Sequence, residues 1–451
     1  MRILTIATLL GTFGVCLASR AATSPSAATS LGENPAPVQL VRPAIAPLSA
    51  MAQLGKAMFF DPSLSFSGRV SCASCHEPNH YYGPPDGQPV VYGGPKLASQ
   101  GARAVPSLMY LLYQPNFAIG PDPSGEAETA PVLAQSAAAA VGTARTTKTA
   151  VSTAQSATNL VPQGGLFWDG RADTLQAQAK GPLLNPFEMD GGSVAIVAAK
   201  LRAASYADRF TQLFGPDIFT SAKMTVSEAL FAIARYQIED PSFHPYSSKY
   251  DAWLEGKARL SPAEMRGYKL FNDPAKGDCA ACHLDQPSND GQPPVFTDHQ
   301  FEALGVPRNS KIAFNQRPDY FDLGICGPYR TDLAAQTQYC GMFLTPTLRN
   351  SATRRVFFHN GLDHDLRQVM DFYDFRDTQP AKVYPRDASG QVEKYNDLPK
   401  QYWANIDIAD PPFDRELGQA PALSENDEAD IIAFLKTLTD GYIIANRMAG
   451  K

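Results

Sequence analysis

Basic charge is not in excess in this sequence: 39 Lys and Arg stand against 45 Asp and Glu, a net charge of −6. That balance leaves no footprint for nucleic acid as a partner. Histidine is scarce, seven in 451 residues, too few for a broad metal-storage role. The period-two alternation that marks half-buried strands is weak throughout, which argues against a sheet-built domain. The one long apolar run, Ile3 to Ala18, is too short and too early for a membrane span. What is present suffices for packed cores, with 44% hydrophobic and 19% charged residues. The length suggests two or three domains. The 37 prolines imply long ordered connections between helices.

Residues 1–22 read as a signal peptide: Arg2 gives the positive start, Ile3–Ala18 the apolar run, and Ser19-Arg20-Ala21 a small-x-small cleavage site. A lipoprotein anchor at Cys16 is the rival reading, opposed by the bulky Val15 before it. Residues 23–44, rich in Ala, Ser and Pro, read as a disordered linker. From Ala118 to Leu166 no aromatic residue occurs, and the stretch is rich in Ala, Thr, Ser, Gln and Pro. It reads as a low-complexity insertion over 118–162, either a loop or a partner-docking surface.

The most specific feature is Cys72-Ala73-Ser74-Cys75-His76, because it recurs as Cys279-Ala280-Ala281-Cys282-His283. C-x-x-C-H is the attachment signature of haem c: two thiols bond the porphyrin and the adjacent histidine becomes an axial iron ligand. A zinc half-site would want two such pairs close together, and a redox C-x-x-C does not require the fixed histidine. Two copies behind a secretory leader therefore predict two covalently attached haem c groups, with Cys72, Cys75, His76, Cys279, Cys282 and His283 holding them. Removing the leader leaves six cysteines, four of them on haem. Cys326 and Cys340 remain, a disulfide in an oxidising compartment or else two buried thiols. The location expected is the periplasm.

Both sites are preceded by one signature, G-x-x-[ML]-F-x-D-P: Gly55 to Pro62, and Gly267 to Pro274. This internal repeat predicts two cytochrome c-like domains, each with a helix leading into its own haem. Leu48, Met51, Leu54 and Met58 share one helix face. Thr225-Val226-Ser227-Glu228, Ser261-Pro262-Ala263-Glu264 and Ser424-x-x-Asp427 read as capping boxes opening later helices. The fold class is mainly α. An N-terminal haem domain is expected over 45–245 and a C-terminal one over 246–451.

Between the two sites runs Phe167-Trp168-Asp169-Gly170-Arg171, followed by Gln178 and Asn185-Pro186-Phe187-Glu188-Met189. This arrangement resembles the bacterial di-haem cytochrome c peroxidases and MauG, their relative that oxidises protein side chains. The likeness covers the chain after the leader except for the insertion. It implies that the first haem is peroxidatic and the second transfers electrons. It implies catalytic roles for Trp168 as relay between the haems, Glu188 as distal acid over the first, and Gln178 as a distal amide. A carboxylate within reach of bound peroxide can carry a proton from one oxygen to the other. A surface Glu188 and a core Trp168 are the bland readings.

Family members that need reductive activation carry a distal histidine before an R-N-x-P segment; here that segment is Arg103-Ala104-Val105-Pro106, and Tyr82–Ala102 holds no histidine. The first haem is thus expected open, with His80 too close to the haem histidine to reach the far face. Ala104 replaces the family's asparagine beside an inter-domain calcium, which counts against calcium. In Thr345-Pro346-Thr347-Leu348-Arg349-Asn350 through Phe358-His359-Asn360-Gly361 the resemblance continues, and the axial position of the second haem falls on Tyr373, as in MauG. Met370, one turn earlier, is the rival ligand, and a plain core tyrosine the bland reading. His359 is either a propionate partner or a loop histidine.

The resemblance implies an enzyme that reduces hydrogen peroxide with electrons from a partner protein, oxidising that partner's side chains in MauG-like fashion. An ordinary cytochrome c peroxidase, fed by a small cytochrome or cupredoxin, is the alternative. A non-catalytic di-haem electron carrier is the alternative of another class.

Overall fold

The computed structural model describes residues 32–122 and 160–444. The leader, Cys16, residues 23–31 of the linker and most of the insertion lie outside the described residues.

Helices and long connections make up the fold, and among the described residues the strands form three two-stranded ribbons. In the first half, α1 (Ala50–Phe59) precedes the short α2 (Cys72–Cys75). Then come α3 (Leu175–Leu184), α4 (Val194–Ala203), α5 (Ala207–Phe214) and α6 (Ala222–Glu239). The second half has α7 (Lys249–Leu254), α8 (Pro262–Phe271), α9 (Leu366–Phe375) and α10 (Glu425–Lys436). Two of the three predicted capping boxes form as read: Ser261 with Glu264 opens α8, and Ser424 with Asp427 opens α10. The third is corrected. Ser221 caps α6, and Thr225 lies inside it, its hydroxyl donating to Ser221 O and Ile218 O. Ser221 is itself a good cap, so the helix begins one turn before Thr225.

Three fixed positions of the repeated signature, the glycine, the phenylalanine and the aspartate, have the same task in both halves. A Cβ on Gly55 would lie 1.9 Å from Ala232 O, and one on Gly267 would lie 1.9 Å from Asp430 O. Only glycine lets α1 cross α6, and α8 cross α10, at backbone contact. Phe59 packs edge-on against Tyr236 and Phe243, and Phe271 against Phe296 and Phe434. The signature aspartates accept from backbone N–H groups two residues on, Asp61 from Ser63 and Asp273 from Ala275, fixing the turn at each Asp-Pro. Two cores result. One gathers Leu54, Phe59, Leu201, Ile233 and Phe243, the other Tyr250, Phe271, Phe296, Ile431 and Phe434.

The linker expectation fails from residue 32 onward. Leu40 is buried in the second core, Trp253 donates to Gly32 O, and Val38 and Val41 bond to Leu254 and Gly291. Apolar residues spaced among the prolines give this strap enough to bury, which composition alone hid. The base of the insertion is a ribbon, β3 (Ala118–Pro121) paired with β4 (Leu160–Gln163), after β1 (Tyr92–Gly93) and β2 (Ser99–Gln100). Cys326 and Cys340 form a disulfide, with their Cα atoms 5.0 Å apart.

Candidate functional site

Each C-x-x-C-H motif sits on a short helical turn just after its signature helix, at Cys72–Cys75 and Cys279–Ala281. Its histidine is oriented by the chain that follows. His76 Nδ1 pairs with Tyr82 O at 3.1 Å, and His283 Nδ1 with Phe296 O at 2.9 Å. A carbonyl can only accept, so the proton stays on Nδ1 and the lone pair on Nε2, the form in which imidazole ligates a metal. Among the described residues the four thiols make no disulfide. Burial pushes Cys72, Cys75 and Cys279 up to about 12. A redox C-x-x-C needs the opposite, a lowered pKa.

The second motif opens into a large, mainly apolar cavity that reaches the seam between the halves. Across it α9, capped by Asp365, presents Leu366, Val369, Met370 and Tyr373 along one wall. Met370 is buried within the second core, whereas Tyr373 is half-buried and stacks on Phe413 at 5.2 Å. Burial pushes the Tyr373 phenol up, and Cys282 and Cys279 add to the shift. A phenolate there needs a cation against it, which ferric iron would supply.

Three polar groups lining this cavity ask for a ligand. His299 Nδ1 and His359 Nε2 are buried without a hydrogen-bond partner among the described residues, and burial lowers both to about 4. Arg354 donates only to carbonyls, Val105 O at 3.0 Å and Val356 O at 3.3 Å, and makes no ion pair among the described residues. Burial pulls it down to about 10. A half-buried guanidinium with no carboxylate beside it and an apolar space in front of it is suited to an anion. Haem, an apolar disc with two carboxylates, fits this cavity, with Arg354, His359 and His299 as the groups that would hold its propionates.

Trp168 stands at the seam. Its indole N–H donates to Ala104 O at 2.8 Å, its carbonyl accepts from Leu344 N at 2.9 Å, and its ring lines the cavity. Ala104 N–H in turn donates to His359 O, so both of its backbone groups are used and it offers no side-chain oxygen to a cation. His359 lies flat on Phe343 at 3.7 Å. Asp169, fully buried, accepts from Arg103 at 2.7 Å and Arg171 at 2.8 Å, while Arg103 also grips Asp322 of the second half at 2.6 Å. Gly170, at φ 65°, fits because a Cβ there would come within 2.7 Å of the Phe117 ring and 2.8 Å of Phe301. The W-D-G-R run is thus the fastening of the two halves as well as part of the cavity wall.

Near the first motif, Glu188 follows α3. Asn185 Nδ2 donates to its Oε1 at 2.8 Å, and burial raises its pKa against the pull of Asn185 and Arg171. Its charge adds to the rise of the Cys75 pKa, behind burial. Gln178, buried on α3, lines the seam cavity with Trp168. His80 is exposed and its ring pairs with Glu77 on the loop after the haem histidine.

The sequence reading missed Arg354 and His299. Nothing local separates buried-facing Arg354 from exposed Arg355 beside it. The Arg103–Asp169–Asp322 clasp was equally hidden, because its partners are 66 and 219 residues apart.

A family model described as di-haem cytochrome c peroxidase matches residues 49–259. The methylamine utilization protein MauG of Paracoccus denitrificans is 30% identical over 431 residues, 94% of this chain and 95% of that one. The cytochrome c551 peroxidase of Nitrosomonas europaea is 30% identical over 339 residues, 74% of this chain and 76% of that one. The crystal structure of the diheme peroxidase BthA from Burkholderia thailandensis superposes with a TM-score of 0.73 at 33% identity, covering 93% of this chain and 95% of that one. Among the described residues no helix is long and apolar enough to cross a membrane.

Proposed function

The chain belongs to the di-haem cytochrome c peroxidase family, an oxidoreductase with two covalent haem c groups, and from that premise we propose a MauG-like periplasmic peroxidase. In this reading hydrogen peroxide is reduced at the first haem and electrons are drawn through the second from a partner protein. The non-catalytic carrier is set aside by the family.

Bound haem c supplies the iron at which peroxide is reduced and the oxidising capacity that results. Glu188 takes the proton from the near oxygen of peroxide and returns it to the departing one. Asn185 holds Oε1, which leaves Oε2 to exchange the proton. Burial, by raising the pKa of Glu188, brings the carboxyl closer to the pH at which it both accepts and donates. Gln178, buried on α3 and lining the seam cavity with Trp168, would supply a distal amide to peroxide. Trp168, pinned by Ala104 and Leu344, keeps an aromatic ring between the two sites. Arg354, His359 and His299 hold the second haem's carboxylates and exclude water from that side.

One observation carries the MauG-like branch: Tyr373 lines the same cavity as His283, Cys279 and Cys282. An anionic phenolate favours higher oxidation states of iron, suited to storing oxidising power. Met370 on the same wall supports the second reading, an ordinary peroxidase, since a thioether favours ferrous iron.

Optical and EPR spectra of wild type and Tyr373→Met, before and after peroxide, test the choice. Ligation by Tyr373 requires that the substitution change the low-spin ferric signal and shorten the life of the oxidised state. Unchanged spectra return the assignment to Met370 and the simpler peroxidase, which steady-state turnover with reduced cytochrome c would then display.

A further inference from the structure

Oxidising power held at the second site has to be met by electrons crossing protein, and this inference rests on that part of the proposed function. On the cavity wall formed by Gly305 and Leu398, the next layer out is aromatic. A Cβ on Gly305 would lie 2.6 Å from Tyr395 Cδ1, so the tyrosine ring is packed directly against the wall. Tyr395 is buried and donates its hydroxyl to Asp377 Oδ1 at 2.9 Å. Its ring meets Trp403 edge to face at 5.6 Å. Trp403 is half-buried, its Nε1–H donates to Leu398 O at 2.8 Å, and the exposed Lys400 lies over its ring at 5.7 Å. Two aromatic steps therefore connect the cavity wall with the surface.

Chemistry singles out Tyr395 within this layer. Tyr384 also touches the wall, but its hydroxyl donates to Gly305 O at 2.6 Å, and a carbonyl cannot take up a proton. A phenol gives up an electron readily only when its proton can leave with it, and Tyr395 alone of the two has a carboxylate in place, Asp377, which also accepts from Lys394 at 2.6 Å and Arg376 at 2.7 Å. Trp253, the other tryptophan of this half, is buried in the second core with its N–H on Gly32 O.

We propose that Trp403 and Tyr395 are the route by which electrons reach the second haem, with Asp377 as the proton acceptor for Tyr395. Tyr395 passes one electron to the oxidised centre and its hydroxyl proton to Asp377 Oδ1, becoming a neutral phenoxyl. Trp403 then gives one electron to the phenoxyl, and the proton returns from Asp377, restoring the phenol. An electron from the external donor refills the Trp403 ring. The oxidant is the peroxide-treated enzyme, and each transfer moves one electron.

The test uses the holoprotein treated with peroxide and no donor, read by peptide mass spectrometry for oxygen addition and by the optical lifetime of the oxidised state. In wild type, oxygen addition is expected at Trp403. In Tyr395→Phe it is lost there and the oxidised state lives longer, as it also does in Trp403→Phe. Tyr384→Phe keeps the wild-type pattern. Oxygen addition at Trp403 that survives Tyr395→Phe, or its absence from wild type despite a normal optical response, overturns the route alone. No optical response of wild type to peroxide overturns the peroxidase reading and the route with it.

Discussion

Replacing Gly267 with alanine puts two opposed effects on one atom. In an exposed helix, Gly→Ala stabilises by about 1 kcal/mol, since alanine loses less backbone freedom on folding. Here the new Cβ would stand 1.9 Å from Asp430 O and 2.9 Å from Phe434 Cβ. Ordinary carbon–oxygen contact begins more than an ångström farther out, so α8 and α10 must separate along their crossing. Overpacking of this kind costs about 1–3 kcal/mol, and more where backbone is the obstacle. The crossing also carries Phe271 and Phe434, whose rings are 5.1 Å apart, so separation loosens the second core as well. A net loss of about 2 kcal/mol is expected, a fall of roughly 4–8 °C in the transition of a half this size. Gly55→Ala, facing Ala232 O at the same 1.9 Å, should lower the stability of the first half by a similar amount. The assay is thermal unfolding of the holoprotein, followed in the far-ultraviolet and in the haem absorption bands. A rise in the transition temperature for either variant would refute the close-crossing argument, because it would mean propensity outweighs contact.

Glu188→Gln should slow reaction with peroxide by about 100- to 10,000-fold. Rapid-mixing kinetics should also show that the acid limb of the rate profile, set by the raised Glu188 pKa, vanishes in the variant. Asp397 is raised from 3.8 to about 7, chiefly by burial and against the pull of Arg308. The folded state therefore holds this proton more tightly than the unfolded chain, so its contribution is complete below about pH 4 and is lost as pH rises towards 7. Asp397→Asn should flatten that fall in denaturant midpoints measured across the window; an unchanged slope would remove Asp397 as its source. Replacing Cys326 and Cys340 together by serine opens a loop of sequence separation 14 and should cost about 3 kcal/mol by loop entropy. A wild-type unfolding midpoint in the double variant would contradict this.

Local patterns carried the helices and the two attachment motifs, because a helix cap or a C-x-x-C-H needs only neighbours a few residues away. Ser261 with Glu264 and Ser424 with Asp427 were legible for that reason. The Thr225 box misled because Ser221, an equally good cap, stands one turn earlier. The linker misled from residue 32 because Leu40 finds its burial against residues more than two hundred positions away. Glu188, Gln178, Trp168 and Tyr373 were named through a family resemblance. Their own spacing could not have distinguished them from core or surface residues.

By itself the sequence determined two attachment motifs, a duplicated helix-and-turn signature and a mainly helical chain, all of which depend on short-range chemistry and the period of a helix. Tertiary structure decided why the signature glycines are glycines, and which of two adjacent arginines, Arg354 rather than Arg355, turns its charge towards the cavity. It also brought Trp168 to the seam and Tyr395 to the cavity wall. The reason is that burial, desolvation and close approach are properties of surfaces that meet only after the chain has closed on itself, and no local pattern records them.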